Sequence, residues 1–194
     1  MAGKRGLFIV SEGIDGSGKS TQAGMLVKWL RKKGKKVVFT REPYTKKLKD
    51  LLRTKKNQNW LELFTADRNI HLKKVVIPAL KSGKTAICDR YYYSTLAYQI
   101  APKEWKSYAS HFIKPDLALI FDVPVEIGLR RTHGRDIKIN QKASYFEKGK
   151  ILEKVRKNYL KMPRMLKEVK IIDSVPSLEM VFENVKKIVN KRLK

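Results

Sequence analysis

Cysteine is almost absent from this sequence, which contains only Cys88 among its 194 residues. A single cysteine cannot form an internal disulfide, so a disulfide-stabilised secreted scaffold is excluded. The apolar run that ends at Cys88 predicts a small core residue in a buried strand. We therefore expect the protein in the reducing environment of the cytoplasm.

Long hydrophobic segments are also missing. No apolar run approaches the roughly 20 residues that a membrane-spanning helix needs. The first residues, Met1–Arg5, are basic, but the apolar run Leu7–Val10 is too short for the core of a signal peptide. This run predicts a buried strand instead, and we expect a soluble protein without a membrane partner.

Acidic residues are scarce, because 18 Asp and Glu face 44 Lys and Arg and leave a formal net charge of +26. Such an excess is typical of proteins that bind nucleic acid or another polyanion. It is also found on enzymes that have a lysine-rich, solvated surface and anionic substrates. The lysines are scattered from Lys32 to Lys191, which favours the second interpretation. We expect no specific nucleic-acid partner, only weak polyanion binding at low salt.

Short apolar runs alternate with longer amphipathic segments along the whole chain. Hydrophobic residues make up 42% and charged residues 32%, which indicates one folded domain over residues 1–194. The pattern predicts strands at 6–11, 36–40, 84–88, 117–122 and 169–172. It predicts helices at 19–33, 45–54, 60–81, 91–101, 104–112, 124–132, 147–162 and 177–192. Because a helix follows each strand, we expect an α/β fold with a parallel sheet covered on both faces.

Three places interrupt this alternation. Pro78 lies inside a predicted helix, where we expect a kink. Pro163 follows another predicted helix, where we expect a break. Residues 133–146 are polar and lack a clear period, which is typical of a mobile lid and equally of an ordinary surface loop.

The most specific motif runs from Gly13 to Ser20 and fits G-x-x-x-x-G-K-[ST] at every position. It follows an apolar strand and begins an amphipathic helix, which is the context that this motif requires. Its glycines let several backbone N–H groups converge on one phosphate, and the start of the helix adds a positive dipole end. Lys19 can reach the β- and γ-phosphates of a nucleoside triphosphate, and the Ser20 hydroxyl can bind Mg²⁺.

Two carboxylates add to this motif. Asp89 ends an apolar strand and can hold a water of the Mg²⁺ shell, although alone such an aspartate is more often a turn former. Asp15 lies inside a loop that binds anions, which indicates that its carboxylate points away from the anion and accepts a hydrogen bond from a hydroxyl group. A sugar hydroxyl of a substrate is the obvious candidate, and a solvated turn aspartate is the alternative.

Further motifs, in their order along the chain, resemble the thymidylate kinase family. They are Phe8–Gln22, Arg41-Glu42-Pro43, Leu63–Arg68, Asp89-Arg90-Tyr91, Ser94-Thr95 and Tyr98-Gln99. The resemblance spans residues from about 6 to 190. It implies a three-layer P-loop NTPase fold with a five-stranded parallel sheet of order 2-3-1-4-5 and a short lid at about 133–146. It also implies a homodimer that uses ATP and Mg²⁺ to phosphorylate dTMP for dTTP synthesis.

The resemblance extends to individual residues. The implied ATP-binding residues are Gly13, Ile14, Asp15, Gly16, Ser17, Gly18, Lys19, Ser20 and Thr21. The implied dTMP-binding residues are Asp15, Glu42, Pro43, Lys49, Phe64, Arg68, Arg90, Thr95, Tyr98 and Glu147. Metal binding is implied for Ser20 and Asp89, and catalysis for Lys19, Asp89 and Arg90.

Five of these residues have particular roles in the family. By the resemblance, Phe64 is expected to stack on the thymine base, and Arg68 to reach its edge from the same helix face, four residues further on. Thr95 is also expected to contact the base edge, and Tyr98 to crowd the 2′ position of the sugar. Arg90 is expected to bridge the phosphates of donor and acceptor.

The sequence departs from the family pattern at the lid. Family members without an arginine in the phosphate loop carry one in the lid, and Gly16 stands at the loop position here. Tyr145 stands where the lid arginine is expected. We predict that Arg135 substitutes for it in catalysis, with Arg131 and Lys138 as further candidates.

Lys49 is a second departure from the family pattern. An arginine commonly binds the acceptor phosphate at this position, and lysine cannot donate to two phosphate oxygens at once as a guanidinium does.

Two other functions stay open. A deoxynucleoside kinase would have little reason to place Lys49 and Arg90 around a second anion. A nucleic-acid-binding NTPase is less favoured, because no Asp-x-x-Gly follows Asp89 and no Asn-Lys-x-Asp guanine-binding motif occurs.

Overall fold

Each apolar run predicted as a strand forms part of one parallel sheet. The computed structural model describes residues 5–54, 59–133 and 142–193, with the backbone alone at 133 and 142–148. The strands are β1 Phe8–Glu12, β2 Val37–Arg41, β3 Thr85–Asp89, β4 Leu117–Asp122 and β5 Val169–Asp173. They are parallel and lie in the order β2-β3-β1-β4-β5. The predicted fold class and strand order are confirmed.

Helices connect the strands. They are α1 Lys19–Lys32, α2 Lys46–Thr54, α3 Trp60–His71, α4 Ile77–Lys81, α5 Tyr92–Gln99, α6 Trp105–Ser110, α7 Val125–His133, α8 Lys142–Lys161 and α9 Leu178–Asn190. No helix in the described ranges has both the length and the apolar character needed to cross a bilayer.

Successive residues of the inner strands β1, β3 and β4 enter two different hydrophobic cores, because side chains alternate between the faces of a sheet. In β1, Ile9 packs into the core beneath α1 and α9, whereas Phe8 and Val10 pack into the larger core beneath α5 and α8. All three side chains are fully buried. Burial on both faces explains why these inner strands are mostly apolar runs in the sequence.

Pro78 and Pro163 each coincide with a change of helix type. α3 passes into a π-helical turn at Leu72–Val76, and α4 follows with Pro78 in its first turn. Proline has no N–H to donate and crowds the preceding turn, so the disruption expected there takes the form of a wider turn. α8 ends at Lys161 and a 3₁₀ turn follows at Met162–Arg164, which confirms the break at Pro163.

The segment predicted as a lid, 133–146, begins and ends within helices. α7 continues to His133, and α8 begins at Lys142, five residues before the predicted start of that helix. Arg135 and Lys138 lie outside the described residues, as do the side chains of Tyr145 and Glu147. Their predicted roles stay predictions.

Parallel strands place all their carboxyl ends along one edge of the sheet, where ligands bind in open α/β folds. A charged residue ends each of the five strands: Glu12, Arg41, Asp89, Asp122 and Asp173. The phosphate motif directly follows Glu12. The fold therefore gathers the predicted site residues at this edge.

The packing of α1 against the sheet predicts a stability difference between two leucines. Leu30 of α1 is fully buried, whereas Leu160 of α8 is 39% exposed. We expect Leu30→Ala to lower the free energy of unfolding by about 2–5 kcal/mol through lost burial and a cavity. Leu160→Ala is the matched control and should cost less than about 1 kcal/mol. Urea unfolding measures both, and similar losses would contradict the packing described here.

Candidate nucleotide site

The phosphate motif forms a tight loop between β1 and α1. Gly13, Gly16 and Gly18 have φ values of 141°, 76° and 82°, a region that glycine adopts without strain. Space also requires glycine at Gly16, because a Cβ there would lie 2.0 Å from the carbonyl oxygen of Gly128 in α7. An arginine at this loop position would therefore collide with α7.

Lys19 begins α1 and lies over the loop that precedes it. Its Nζ donates to the carbonyl oxygen of Ile14 at 3.3 Å and lies 3.7 Å from the Asp15 carboxylate. The side chain is buried, and burial lowers the pKa of Lys19, with a further lowering by the nearby Arg90 charge. The loop thus holds a desolvated cation where the motif predicts phosphate groups.

Ser20 and Asp89 meet in an arrangement that fits Mg²⁺. The Ser20 hydroxyl donates to Asp89 Oδ2 at 2.6 Å, which leaves the lone pairs of the serine oxygen available to a metal. Asp89 Oδ1 is buried and accepts no hydrogen bond from the described residues. An unsatisfied carboxylate oxygen can accept from a metal-bound water, and hard oxygen ligands are those that Mg²⁺ prefers.

A cavity of about 490 Å³ lies beside the loop, against β5 and α9. It is lined by five of the predicted ATP-binding residues, Gly16, Gly18, Lys19, Ser20 and Thr21. Gly13, Ile14 and Ser17 are instead buried within the loop. Arg131, a further candidate for the missing lid arginine, also lines this cavity and donates to the carbonyl oxygens of Ser174 and Val175 at 3.0 and 3.4 Å.

A second cavity, of about 650 Å³, lies between the loop, α3 and α5. It is lined by eight of the ten predicted dTMP-binding residues, Asp15, Glu42, Pro43, Phe64, Arg68, Arg90, Thr95 and Tyr98. Lys49 is not among its lining residues, because its exposed side chain extends along α2 and donates to the carbonyl oxygen of Tyr44 at 2.9 Å.

Arg90 is held in a strained backbone conformation at the wall of the second cavity. Its φ is 73°, a left-handed value that is costly for a residue with a Cβ. Its Nη2 donates to Asp15 Oδ1 at 2.6 Å, and its Nη1 donates to Ser94 Oγ at 3.2 Å. The backbone N–H donates to the carbonyl oxygen of Ser11 at 2.9 Å. These contacts keep the guanidinium in place beside Asp15.

Arg68 places a buried positive charge at the end of the second cavity. Its Nε donates to Glu42 Oε2 at 2.9 Å, and its two terminal nitrogens donate to the hydroxyls of Tyr108 and Thr95 at 3.2 and 3.1 Å. A guanidinium has five N–H donors. Two of them therefore have no acceptor within the described part of the chain and can serve an oxygen atom in the cavity.

Glu42 is in turn supported by His71, which the sequence patterns did not reveal. His71 Nδ1 lies 3.1 Å from Glu42 Oε1, and its Nε2 lies 2.8 Å from Thr40 Oγ1. Glu42, His71 and Cys88 form a buried group whose potential metal-binding atoms lie within 4.8 Å of one another. All of these atoms already have partners, since the thiol donates to a main-chain carbonyl at 2.9 Å. We interpret the group as support for Arg68 rather than as a metal site.

Glu12 is a second buried carboxylate that sequence patterns did not reveal. Its Oε1 accepts from the N–H groups of Tyr91 and Ser94 at 2.7 and 3.1 Å. Its Oε2 accepts from the hydroxyls of Ser94 and Tyr159 at 2.7 and 2.9 Å. Glu12 thereby caps α5, which has no local side-chain cap, and joins it to α8. The only signal for this role is an acid that ends an apolar strand.

The chain matches the sequence model described as thymidylate kinase over residues 11–185. The chain belongs to the thymidylate kinase family. A probable thymidylate kinase of Pyrococcus abyssi is 41% identical over 208 positions, covering 97% of this chain and 98% of that protein.

Two further members of the family show similar identity. A thymidylate kinase of Desulfotalea psychrophila is 44% identical over 167 positions, covering 80% of this chain and 81% of its own. A thymidylate kinase of Thermosipho africanus is 35% identical over 204 positions, covering 96% of this chain and 99% of its own. The family resemblance predicted from the motifs is confirmed.

The burial of Glu12 has a consequence for the pH dependence of stability. Burial raises the pKa of Glu12 above its usual value of 4.5, although the Arg90 charge and hydrogen bonds from Ser94, Tyr91 and Tyr159 lower it. Above pH 4.5 the unfolded chain has lost a proton that the folded protein still holds. The free energy of unfolding therefore falls as the pH rises through the interval between the two pKa values.

We expect Glu12→Gln to remove this contribution while keeping the shape of the side chain. In urea unfolding, the stability of the wild type should fall relative to that of Glu12→Gln as the pH rises above 4.5. Glu126→Gln changes an exposed glutamate of α7 and should follow the wild type. A constant difference between Glu12→Gln and the wild type at all pH values would contradict the expectation.

Proposed function

We propose that this protein, as a single domain over residues 1–194, transfers the γ-phosphate of ATP to dTMP and so forms ADP and dTDP for dTTP synthesis. The observation that carries the proposal is the second cavity, which runs from the phosphate loop to the buried Arg68. Family membership does not favour the alternatives of a deoxynucleoside kinase or a nucleic-acid-binding NTPase. A cytoplasmic homodimer is part of the proposal.

The smaller cavity is the proposed ATP site. Backbone N–H groups of the loop and the Lys19 ammonium would contact the β- and γ-phosphates. Ser20 and Asp89 would hold Mg²⁺, which neutralises charge on these phosphate groups when bound. The support for this placement is the hydrogen bond between Ser20 and Asp89 together with the unsatisfied Asp89 Oδ1.

The donors of Arg68 favour a pyrimidine with a carbonyl oxygen at its edge. A guanidinium can donate but cannot accept, so its spare N–H groups match the O4 acceptor of thymine. Cytosine presents an amino group at this position, and a buried donor left facing another donor costs about 1–3 kcal/mol. Phe64 lies one helical turn before Arg68 and offers a ring on which the base can stack.

The transfer needs no covalent intermediate on the protein. An oxygen of the dTMP phosphate forms a bond to the γ-phosphorus, the bond from that phosphorus to the bridging oxygen breaks, and its electron pair leaves with ADP. Both reactants are anions, so cations must offset their repulsion. We assign this role to Lys19 on the donor side and to Arg90 on the acceptor side. The contacts of Arg90 hold it in position before substrate binds.

A coupled assay of ADP formation with dTMP, dCMP, AMP and thymidine as acceptors tests the proposal. We expect kcat/KM for dTMP to exceed that for dCMP by about 10- to 100-fold, because of the donor mismatch at Arg68. Lys19→Met should abolish turnover. Equal use of AMP and dTMP, or a preference for thymidine, would refute the proposed acceptor.

A further inference from the structure

Arg41 forms an unusual contact at the phosphate edge of the sheet. It ends β2 directly beside Asp89, the last residue of β3. Its Nε and Nη2 lie 3.0 and 2.8 Å from a single oxygen, Asp89 Oδ2. The same oxygen accepts the hydrogen bond of the Ser20 hydroxyl. Arg41 therefore shares the carboxylate that would support the metal.

The two partners in this ion pair differ in their freedom to move. The Arg41 side chain is 58% exposed, and within the described residues its guanidinium donates to Asp89 alone. Asp89 is buried at the end of β3, an inner strand of the sheet. A buried carboxylate needs a nearby positive charge, and Arg41 supplies one when no metal is bound. An exposed arginine with one partner can leave when another cation shares that carboxylate.

Among the residues that the structure describes, other arginines close to the site are already held by neighbouring groups. The loop cannot carry an arginine at Gly16, because its Cβ would collide with α7. Arg131 is bound to two main-chain carbonyl oxygens. Arg90 is held by Asp15 and Ser94. The guanidinium of Arg41 is thus available to the transferred phosphoryl group.

We propose that Arg41 exchanges partners during the reaction and is a catalytic residue. Without metal it neutralises Asp89; with the Mg²⁺ complex of ATP and the acceptor bound, it moves onto the oxygens of the transferred phosphoryl group. Its planar guanidinium can donate to two phosphate oxygens at once. This inference rests on the proposed function and gives Arg41 the role predicted for Arg135.

Partner exchange predicts two effects of opposite sign from one substitution. Removing the charge of Arg41 leaves Asp89 without a competing cation, so a divalent metal should bind more tightly. The same change removes a cation from the transferred phosphoryl group, so the transfer should slow. If Arg41 only stabilised the fold, its substitution would weaken metal binding and turnover together.

Arg41→Met removes the charge, and Arg41→Lys keeps the charge without the paired N–H donors of a guanidinium. The first measurement is the ratio of the Kd of ADP in EDTA to its Kd in Mg²⁺, determined by calorimetry. We expect this ratio to rise by about tenfold in Arg41→Met, as for the loss of one nearby unit charge. The second is kcat with saturating ATP, Mg²⁺ and dTMP, which should fall by about 10²–10³-fold. Arg41→Lys should keep the wild-type ratio and have an intermediate kcat.

Arg5→Met is the matched control. Arg5 is also about half exposed and pairs with an aspartate, Asp116, at 2.7 Å, but near the opposite end of β1. The substitution Arg5→Met should leave both measurements unchanged. A wild-type kcat in Arg41→Met would overturn the proposal, and so would a reduced kcat with an unchanged or smaller ADP ratio. If the wild type fails to phosphorylate dTMP, the proposed function fails by itself, while an unchanged ADP ratio would still overturn the exchange of partners.

Discussion

The positive charge of Arg68, held inside the protein, is the constraint on which the acceptor cavity depends. An uncompensated buried charge costs several kcal/mol, and Glu42 offsets that cost from 2.9 Å. Glu42 directly follows β2 and is oriented by His71 of α3, while Thr95 of α5 accepts a further hydrogen bond from Arg68. The sheet and both helices must therefore be correctly packed before Arg68, with its two spare N–H donors, can line the cavity.

Within the described residues, each of three acids at the site is paired with an arginine before ligands bind. The pairs are Asp15 with Arg90, Glu42 with Arg68, and Asp89 with Arg41. They differ in burial: the Glu42 pair is enclosed, whereas the arginine of the Asp89 pair is exposed. The enclosed pair suits fixed recognition of a neutral base. The exposed pair suits an exchange of partners when charged phosphates and a metal enter.

Local patterns made much of this site predictable. The phosphate loop follows from glycines and a lysine at fixed spacing, and Phe64 and Arg68 share a helix face because they lie four residues apart. Glu12, His71 and Arg41 could not be predicted in the same way, because their roles depend on which strands and helices become neighbours. Arg41 and Asp89 are 48 positions apart and meet only because β3 lies beside β2. The steric need for Gly16 likewise depends on the approach of α7, which no local pattern encodes.

Recognition of a pyrimidine carbonyl by a buried arginine is the central claim, and a crystal structure of the protein with dTMP tests it most directly. The base should lie against the Phe64 ring, with its O4 atom about 3 Å from a terminal nitrogen of Arg68. The Arg68 contact with Glu42 should persist unchanged. A dTMP molecule bound elsewhere, or a base turned so that no carbonyl oxygen reaches Arg68, would contradict the account.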